Sequence, residues 1–152
     1  MPIFRRLRPD ESPSIHLLLL ADPSEVEIRS YLDRSDCYVL EREEGERIGQ
    51  VLILRKDESK MEIMNLAVEE KLQGQGFGRI LLENSIQVAK DAGARTLTIG
   101  TGNSSLSQLG LYQKCGFEIF SIDKGFFLRN YKEPIWENGI RCKDKILLHL
   151  DL

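Results

Sequence analysis

A short glycine-rich segment contains the residues whose types and spacing could support chemistry. Gly74, Gly76 and Gly78 come directly before a stretch in which apolar residues recur at helical spacing. Glycines allow the main chain to approach a ligand closely, and the first turn of a helix presents N–H groups that have no partner within the helix. Such N–H groups favour a negatively charged ligand. The sequence therefore predicts a site for a phosphate or diphosphate at residues 73–79.

Two familiar phosphate-binding loops do not fit this spacing. A Walker-type loop ends in Gly-Lys-Ser/Thr, and no such triplet follows Gly78. A dinucleotide-binding loop has the spacing Gly-x-Gly-x-x-Gly and an acidic residue about 20 positions later, at the end of the next strand. The glycines here are spaced Gly-x-Gly-x-Gly, and the next strand-like segment, residues 96–101, leads into Gly102 instead of an acid. A nucleotide-binding domain is therefore disfavoured.

The loop does fit a third pattern, Gln/Arg-x-x-Gly-x-Gly/Ala. Gln73, Gly76 and Gly78 occupy its three fixed positions, and residues 112–117 further along fit Tyr-x-x-x-Gly-Phe. The first pattern, which follows a buried strand, resembles the acyl-CoA loop of the GNAT superfamily of N-acetyltransferases. The second pattern resembles a signature that lies later in the sequences of the same superfamily. The resemblance covers residues 48–122. It implies acetyl-CoA as co-substrate, no metal, and direct attack of a primary amine on the thioester in a ternary complex.

The resemblance also implies which residues contact the co-substrate. The loop residues that would bind the diphosphate of coenzyme A are Gln73, Gly74, Gln75, Gly76, Phe77, Gly78 and Arg79. In the preceding strand, the main chain of Leu66, Ala67 and Val68 would contact the pantetheine arm and stabilise the oxyanion. Many relatives place an asparagine seven residues before the tyrosine. That position holds Ser105 here and Asn103 lies two residues earlier, so either could contact the cofactor arm or cap the following helix.

Tyr112 is the candidate proton donor for the departing thiolate. An unperturbed phenol has a pKa of about 10, so it is protonated at neutral pH and can donate. The resemblance of residues 112–117 to the family signature implies this catalytic role. The alternative is that Tyr112 only packs its helix against the sheet, next to Phe117.

Glu62 is the candidate general base because it is the one carboxylate in an otherwise apolar strand. Alternation along a strand puts it on the same face as Met64, Leu66 and Val68, where desolvation would raise its pKa. It also lies eleven residues before Gln73, as the base glutamate does in some histone-type relatives. Leu66 is about 13 Å away along the strand, so Glu62 would act through water. A solvated glutamate at the start of the strand is the alternative.

These candidates require a particular set of secondary-structure elements to hold them. Residues 61–68 read as a buried strand, and residues 77–92 as an amphipathic helix that ends at Gly93. Further strands are predicted at residues 2–8, 37–40, 48–54, 96–101, 117–122 and 146–150, and further helices up to residue 20, at 24–32 and at 106–116. The pattern predicts one α/β domain over residues 1–152. Its expected architecture is an acyl-CoA N-acyltransferase-like fold, with a central mixed sheet of about seven strands flanked by about four helices.

Composition limits the class of protein. The net charge is 21 − 24 = −3 with no basic block, which argues against a nucleic-acid partner. No apolar run approaches the roughly 20 residues of a membrane span, so a membrane partner is not expected. The three cysteines are scattered, without metal-ligand spacing, as is typical of a reducing cytoplasm. The sequence leaves open whether the chain is a monomer or a homodimer.

Two segments bear on the acceptor. An acidic hairpin turn could attract a cation or be a solvated tip, and Asp57 and Glu58 add charge at the next turn. The acids of that hairpin are Glu41, Glu43, Glu44 and Glu46. The second segment, residues 123–145, contains four aromatic residues, while Pro134 and Asn138-Gly139 interrupt any regular element. A connection of this length either has a function or is a flap that covers a sheet edge.

The sequence as a whole predicts an acetyl-CoA-dependent N-acetyltransferase with a small cationic amine as acceptor. One alternative is a protein or peptide N-acetyltransferase. The other is a non-catalytic acyl-CoA-binding or sensing module of the same fold.

Overall fold

A mixed β-sheet forms the centre of this structure, a computed structural model that describes residues 1–152 apart from the side chain of Glu44. The strands are β1 (Ile3–Arg6), β2 (Asp36–Glu41), β3 (Arg47–Arg55), β4 (Lys60–Val68), β5 (Thr96–Gly102), β6 (Glu118–Asp123), β7 (Trp136–Glu137), β8 (Ile140–Arg141) and β9 (Lys145–Asp151). The helices are α1 (Ile15–Ala21), α2 (Glu25–Leu32), α3 (Phe77–Asp91), α4 (Leu106–Lys114) and α5 (Phe126–Asn130). None of these helices, in the part of the chain that is described, has the length and apolar character that crossing a membrane requires.

Seven strands hydrogen-bond in the order β1-β2-β3-β4-β5-β9-β6, and β7 pairs with β8 in a separate hairpin. All neighbours in the large sheet are antiparallel except β4 and β5, which run parallel and are connected through α3. This architecture confirms the predicted α/β fold class with its sheet of seven strands. The helices number five, one more than the approximate count expected from the sequence.

The additional helix lies in residues 123–145, where the sequence predicts no regular element. The structure contains α5 and the β7–β8 hairpin there. Asn138 and Gly139 form the two-residue turn of this hairpin, with positive φ values of 55° and 73°. A type I′ hairpin turn requires positive φ at both central residues, and Asn-Gly is its preferred sequence. The dipeptide therefore interrupts the segment as a hairpin turn, with a short strand on each side of it.

The sheet is covered on both faces because its central strands are apolar on both sides. Residues 48–54 of β3 are buried throughout. On one face α3 packs Leu81 and Leu82 against the sheet, and on the other α1 and α2 contribute Leu18 and Ile28. Each buried leucine or isoleucine stabilises the fold by roughly 1.5–3 kcal/mol relative to an exposed one. These contacts hold the central strands in place for the site described below.

The parallel strands β4 and β5 separate halfway along their length. They pair only between Lys60–Ile63 and Thr96–Ile99. Beyond those residues β4 stays paired with β3 as far as Val68, while β5 stays paired with β9 as far as Gly102. The C-terminal halves of β4 and β5 therefore diverge and leave a gap within the sheet, which we call the sheet opening.

Glu11 is held by an ionic network at the edge of the sheet. Its carboxylate accepts two hydrogen bonds of 2.7 Å from Arg5, whose guanidinium also donates to Glu41 at 2.6 Å. The hydrogen bond from Arg5, followed by that from the main chain of Arg8, lowers the pKa of Glu11 from 4.5 to about 2. A lowered pKa stabilises the folded state above the unfolded-state pKa. This contribution is therefore complete above about pH 4.5 and is lost as the pH falls through about 2.

We expect Glu11→Gln to lower Tm by a few degrees at pH 7, with a difference from wild type that shrinks as the pH falls towards 2. The effect is modest because the network is at the surface. Thermal unfolding followed by circular dichroism at several pH values between about 2 and 7 measures this difference in Tm. Glu133→Gln is the control, since Glu133 is exposed and no described residue pairs with it. A Tm difference that does not change with pH would contradict the assignment.

Candidate active site

The glycine-rich loop presents a row of unpaired main-chain donors. Gly74 and Gly76 adopt left-handed conformations with φ of 77° and 90°, and Gly76 is the N-cap residue of α3. The first loop–helix hydrogen bond runs from the Ile80 N–H to the Gly76 carbonyl, at 3.2 Å. Among the described residues, the N–H groups of residues 74–79 have no acceptor. The loop is exposed, so these donors are available to an anion.

The side chains of the loop have structural partners. Gln73 Nε2 donates to the Val68 carbonyl at 3.1 Å, which ties the loop to the end of β4. Phe77 packs against the core, and Arg79 pairs with Glu83 on α3 at 2.7 Å. A Cβ at Gly78 would lie 3.5 Å from Leu111 Cδ2, an ordinary van der Waals distance, so this position on α3 faces α4. The main chain is therefore the part of the loop that faces outwards.

The sheet opening exposes the main chain of β4 after its last contact with β5. The Glu69 N–H donates to the Ile48 carbonyl on the β3 side, at 2.9 Å. Main-chain groups of successive strand residues point in opposite directions, so Ala67 also faces β3 while Leu66 and Val68 face the opening. The hydrogen bond from Gln73 to the Val68 carbonyl is consistent with this alternation. Of the three residues predicted from the resemblance, Leu66 and Val68 offer their N–H groups to the opening.

Tyr112 lies in α4 with only 5% of its surface exposed, in the main apolar cluster and in the wall of a cleft beside the sheet opening. Burial raises its pKa well above the usual value of 10. No described residue forms a hydrogen bond with its hydroxyl. Its ring is 6.3 Å from that of Phe117. The predicted packing role and an available, protonated hydroxyl thus coexist in the same side chain.

Glu62 lines the same cleft, with 15% of its side chain exposed and with Lys56 Nζ 3.7 Å from its carboxylate. The prediction that it shares a face with Leu66 and Val68 is wrong. A bulge leaves Met64 without a partner on β3, so the alternation of side chains is reversed beyond it. Leu66 and Val68 belong to the apolar cluster on the α3 face, whereas Met64 packs on the α1–α2 face.

Asn103 and Ser105 differ from the expectation. Neither side chain caps α4. Asn103 Oδ1 accepts from the N–H groups of Lys143 and Asp144 at 2.7 and 3.0 Å, so its amide anchors the segment before β9 and lies outside the cleft. Ser105 does line the cleft, where its hydroxyl donates to Glu137 at 2.8 Å. This geometry disfavours Asn103 as a contact of the cofactor arm.

The cleft itself has a volume of about 520 Å³ and is bounded by the α1–α2 loop, β4, β5, α4 and the connection 123–145. Its aromatic wall consists of Tyr31, Tyr112, Phe126, Phe127 and Tyr131. Its carboxylates are Asp22, Glu27, Glu62 and Glu137. The connection 123–145 therefore forms one wall of the cleft, which agrees with the functional interpretation of this segment.

The acidic hairpin lies elsewhere. None of its described side chains lines the cleft. Glu41 pairs with Arg5 at 2.6 Å, and Glu46 pairs with Arg42 at 3.1 Å. The side chain of Glu44 lies outside the described part of the structure. The hairpin therefore contributes none of the carboxylates of the cleft.

Asp22 is a functional candidate that the sequence does not reveal. Its two carboxylate oxygens accept hydrogen bonds from the hydroxyls of Tyr131, at 2.7 Å, and Tyr31, at 2.9 Å. Asn65 on β4 in turn donates to the Tyr31 hydroxyl at 3.2 Å. A hydrogen-bonded chain thus connects the segment 123–145 with β4 at the sheet opening. The only local signal is a polar residue between two helices, which is common in loops.

The thiols are not candidate nucleophiles. Burial raises the pKa of Cys37 to about 12 and also raises that of Cys115 and Cys142. A raised pKa keeps a thiol protonated and unreactive at neutral pH. Among the described residues, no three His, Cys, Asp or Glu side chains come together as a metal site would require.

The diverging parallel strands, the row of free N–H groups before α3 and the adjoining cleft define an acyl-CoA-dependent N-acyltransferase. The chain belongs to the GNAT family of acetyltransferases, because the family model described as "Acetyltransferase (GNAT) family" matches residues 3–117. This result confirms the resemblance inferred from the sequence.

Several relatives agree with this assignment. The chain is 52% identical over 137 residues to "Uncharacterized N-acetyltransferase YvbK" of Bacillus subtilis (strain 168), covering 90% of this chain and 87% of that protein. It superposes with a TM-score of 0.95 on an "IAA acetyltransferase from Bacillus cereus ATCC 14579", at 49% identity and with all of both chains covered. The TM-score is also 0.95 for a GNAT family acetyltransferase from Elizabethkingia anophelis with acetyl-CoA bound, at 46% identity over 99% of this chain and 98% of that one. The chain is thus an acetyl-CoA-dependent N-acetyltransferase.

Proposed function

We propose that this enzyme transfers the acetyl group of acetyl-CoA to a small cationic amine, by direct attack within a ternary complex. The observation that carries this proposal is the position of the cleft. It opens next to the divergent part of β4 and β5, and four carboxylates lie in its wall. A ligand in the cleft therefore meets both the sheet opening and a negative field that favours a cation.

The co-substrate would lie along the loop and the sheet opening. The N–H groups of residues 74–79 would bind the diphosphate of coenzyme A, since they have no other acceptor among the described residues. The pantetheine arm would extend from there along Val68, with its thioester close to Leu66. In this position the Leu66 N–H would donate to the thioester oxygen as negative charge develops on it.

The reaction then needs two proton transfers. The amine nitrogen forms a bond to the thioester carbon, and the C–S bond breaks with the electron pair left on sulfur. Tyr112 would protonate the departing thiolate, because its buried phenol retains its proton at neutral pH. Glu62 would take the proton of the attacking amine through a water molecule, and solvent would then return a proton to Tyr112.

The cleft walls also suit a cationic acceptor. Carboxylates attract an ammonium group, and aromatic faces stabilise it through cation–π interactions. The rings of Phe126, Phe127 and Tyr131 lie within 5.0–6.3 Å of one another and form a continuous aromatic surface in the cleft. A peptide amine is a less good match, because the α1–α2 loop and the segment 123–145 are connected through Asp22 across the cleft.

The test is a thermal-shift comparison of acetyl-CoA, ATP and NAD, followed by a screen of amines with detection of released thiol. Of the three ligands, we expect only acetyl-CoA to raise Tm. In the screen, we expect thiol to be released faster with small polyamines and diamines than with uncharged nucleophiles. The panel also includes peptides with a free N-terminus and the compound abbreviated IAA in the name of the Bacillus cereus relative. Tight acetyl-CoA binding without thiol release from any acceptor would instead favour a non-catalytic sensing module.

Glu62→Gln is expected to lower kcat at least about tenfold, the lower end of general-base effects when water intervenes. Steady-state rates of thiol release at neutral pH, with acetyl-CoA and the acceptor both varied, measure this effect. Glu58→Gln removes a nearby exposed carboxylate that does not line the cleft and is the control. A kcat for Glu62→Gln equal to that of Glu58→Gln would leave Glu62 only as the ion-pair partner of Lys56.

A further inference from the structure

Lys145 stands apart from the other charged residues of the cleft. It is the first residue of β9 and lies opposite Gly102 in the register with β5. Its side chain is the one cationic group among the described residues that line the cleft, whereas four carboxylates line it. The residue as a whole is partly buried.

The Lys145 ammonium has no counter-ion among the described side chains. No carboxylate of the described residues lies within 4.0 Å of it. Nζ rests 4.7 Å from the centroid of the Phe126 ring instead. Three of the neighbouring carboxylates already have partners, since Asp22 accepts from two tyrosines, Glu62 pairs with Lys56, and Glu137 accepts from Ser105. A cation–π contact orients an ammonium but leaves its hydrogen bonds unused.

Gly100 makes room for this arrangement. A Cβ at residue 100 would clash with Lys145 Cε. The absence of a side chain on β5 at this point therefore allows the lysine to lie across the strand into the cleft. Both Gly100 and Lys145 line the cleft next to the sheet opening. The ammonium is thus placed at the acceptor side of the opening by the local backbone.

We propose that Lys145 forms an anion subsite within the acceptor cleft, so that the acceptor carries a carboxylate in addition to its amine. This inference rests on the proposed function and specifies its acceptor as an amino acid-like zwitterion. The amine would lie towards Glu62 and the thioester, and the carboxylate would form a charge-assisted hydrogen bond with Lys145. This ion pair would favour an acceptor that carries a carboxylate over an acceptor that has only an amine.

The test compares straight-chain ω-amino acids and α-amino acids, each paired with its primary amide, which replaces the carboxylate by a neutral group; in the ω-amino acids the amine is far enough away to be little affected by that change. We expect the wild-type enzyme to show at least a tenfold higher kcat/KM for the acid of its best pair than for the amide. Lys145→Met should abolish this preference, mainly through KM for the acid, and Lys145→Arg should retain it. Lys143→Met carries the same charge change on an exposed neighbour outside the cleft and should keep the preference.

Gly100→Ala is the second variant, because it displaces the ammonium without removing the charge. It should reduce the ratio of acid to amide, with acetyl-CoA affinity measured separately by calorimetry. The subsite would be overturned if the wild-type enzyme had an equal or higher kcat/KM for the amides, or if Lys145→Met kept the preference for the acids. Neither result would contradict the proposed acetylation of amines. If polyamines or diamines are acetylated but no acid or amide of these pairs is, the subsite is overturned and the proposed function stands; if no amine of any kind is acetylated, the proposed function itself fails. A thermal shift of the acetyl-CoA complex by the acid, absent with the amide and absent in Lys145→Met, still decides the subsite.

Discussion

Replacing Gly76 by valine is expected to weaken acetyl-CoA binding by about a hundredfold. Gly76 has a φ of 90°, and a β-branched residue in this conformation is strained. The backbone would relax and turn the N–H groups of residues 76–78 away from the diphosphate. Each lost hydrogen bond to a charged group is worth about 1.5–3 kcal/mol, so the loss of two accounts for the expected change in Kd.

The matched control is at the other end of the same helix. Gly93 has a φ of 80°, and, as at Gly76, an added Cβ would meet no described atom within 4 Å. Gly93→Val therefore introduces a comparable backbone strain far from the loop. We expect both variants to lower Tm and only Gly76→Val to raise the Kd for acetyl-CoA, measured by calorimetry. If Gly76→Val bound acetyl-CoA as tightly as Gly93→Val, the loop would not be the diphosphate site.

Tyr112→Phe is expected to reduce kcat at least tenfold and up to about a hundredfold, within the range of general-acid contributions. The variant keeps the ring that packs in the core and removes only the hydroxyl, which has no hydrogen-bond partner among the described residues. The Kd for acetyl-CoA should therefore stay within about twofold of wild type. Because burial raises the pKa of Tyr112 above 10, its proton is lost only as the pH rises through that raised value. The wild-type rate should show no decline from this residue up to about pH 10.

Tyr38→Phe is the corresponding control. Tyr38 stacks on Phe4 at 5.3 Å between ring centroids and lies outside the cleft, so it tests the removal of a tyrosine hydroxyl as such. Single-turnover measurements with saturating acetyl-CoA separate the chemical step from product release. A chemical rate for Tyr112→Phe equal to that of Tyr38→Phe would leave Tyr112 with its packing role only.

The two proposals for the acceptor depend on the same wall of the cleft. The segment 123–145 contributes Phe126 and Tyr131, and Tyr131 connects it to Asp22 in the α1–α2 loop. Asp22 is therefore placed to hold the two sides of the cleft at a fixed distance. The hydrogen-bonded chain continues through Tyr31 to Asn65, one residue before Leu66, so the acceptor wall and the sheet opening are mechanically connected.

The sequence by itself determined the class of this enzyme and its co-substrate, and it predicted the loop that would bind that co-substrate. The spacing of Gln73, Gly76 and Gly78 and the helical periodicity after them depend on interactions between residues close in the chain. Glycine permits the left-handed conformations that the loop adopts, and unpaired N–H groups follow from any helix start. The alternating and continuous apolar patterns likewise predict the strands of the sheet, because burial on one face or both dictates residue type.

Only the tertiary structure brought together the residues of the proposed acceptor cleft. Asp22 and Tyr131 are 109 residues apart, and no local pattern predicts that they meet. The bulge at Met64 reverses the faces of β4, so a strand read by alternation places Glu62 wrongly relative to Leu66. Lys145 reaches the cleft because Gly100 on a neighbouring strand has no side chain. These features arise from packing between distant segments, which a sequence encodes only through the energy of the whole fold.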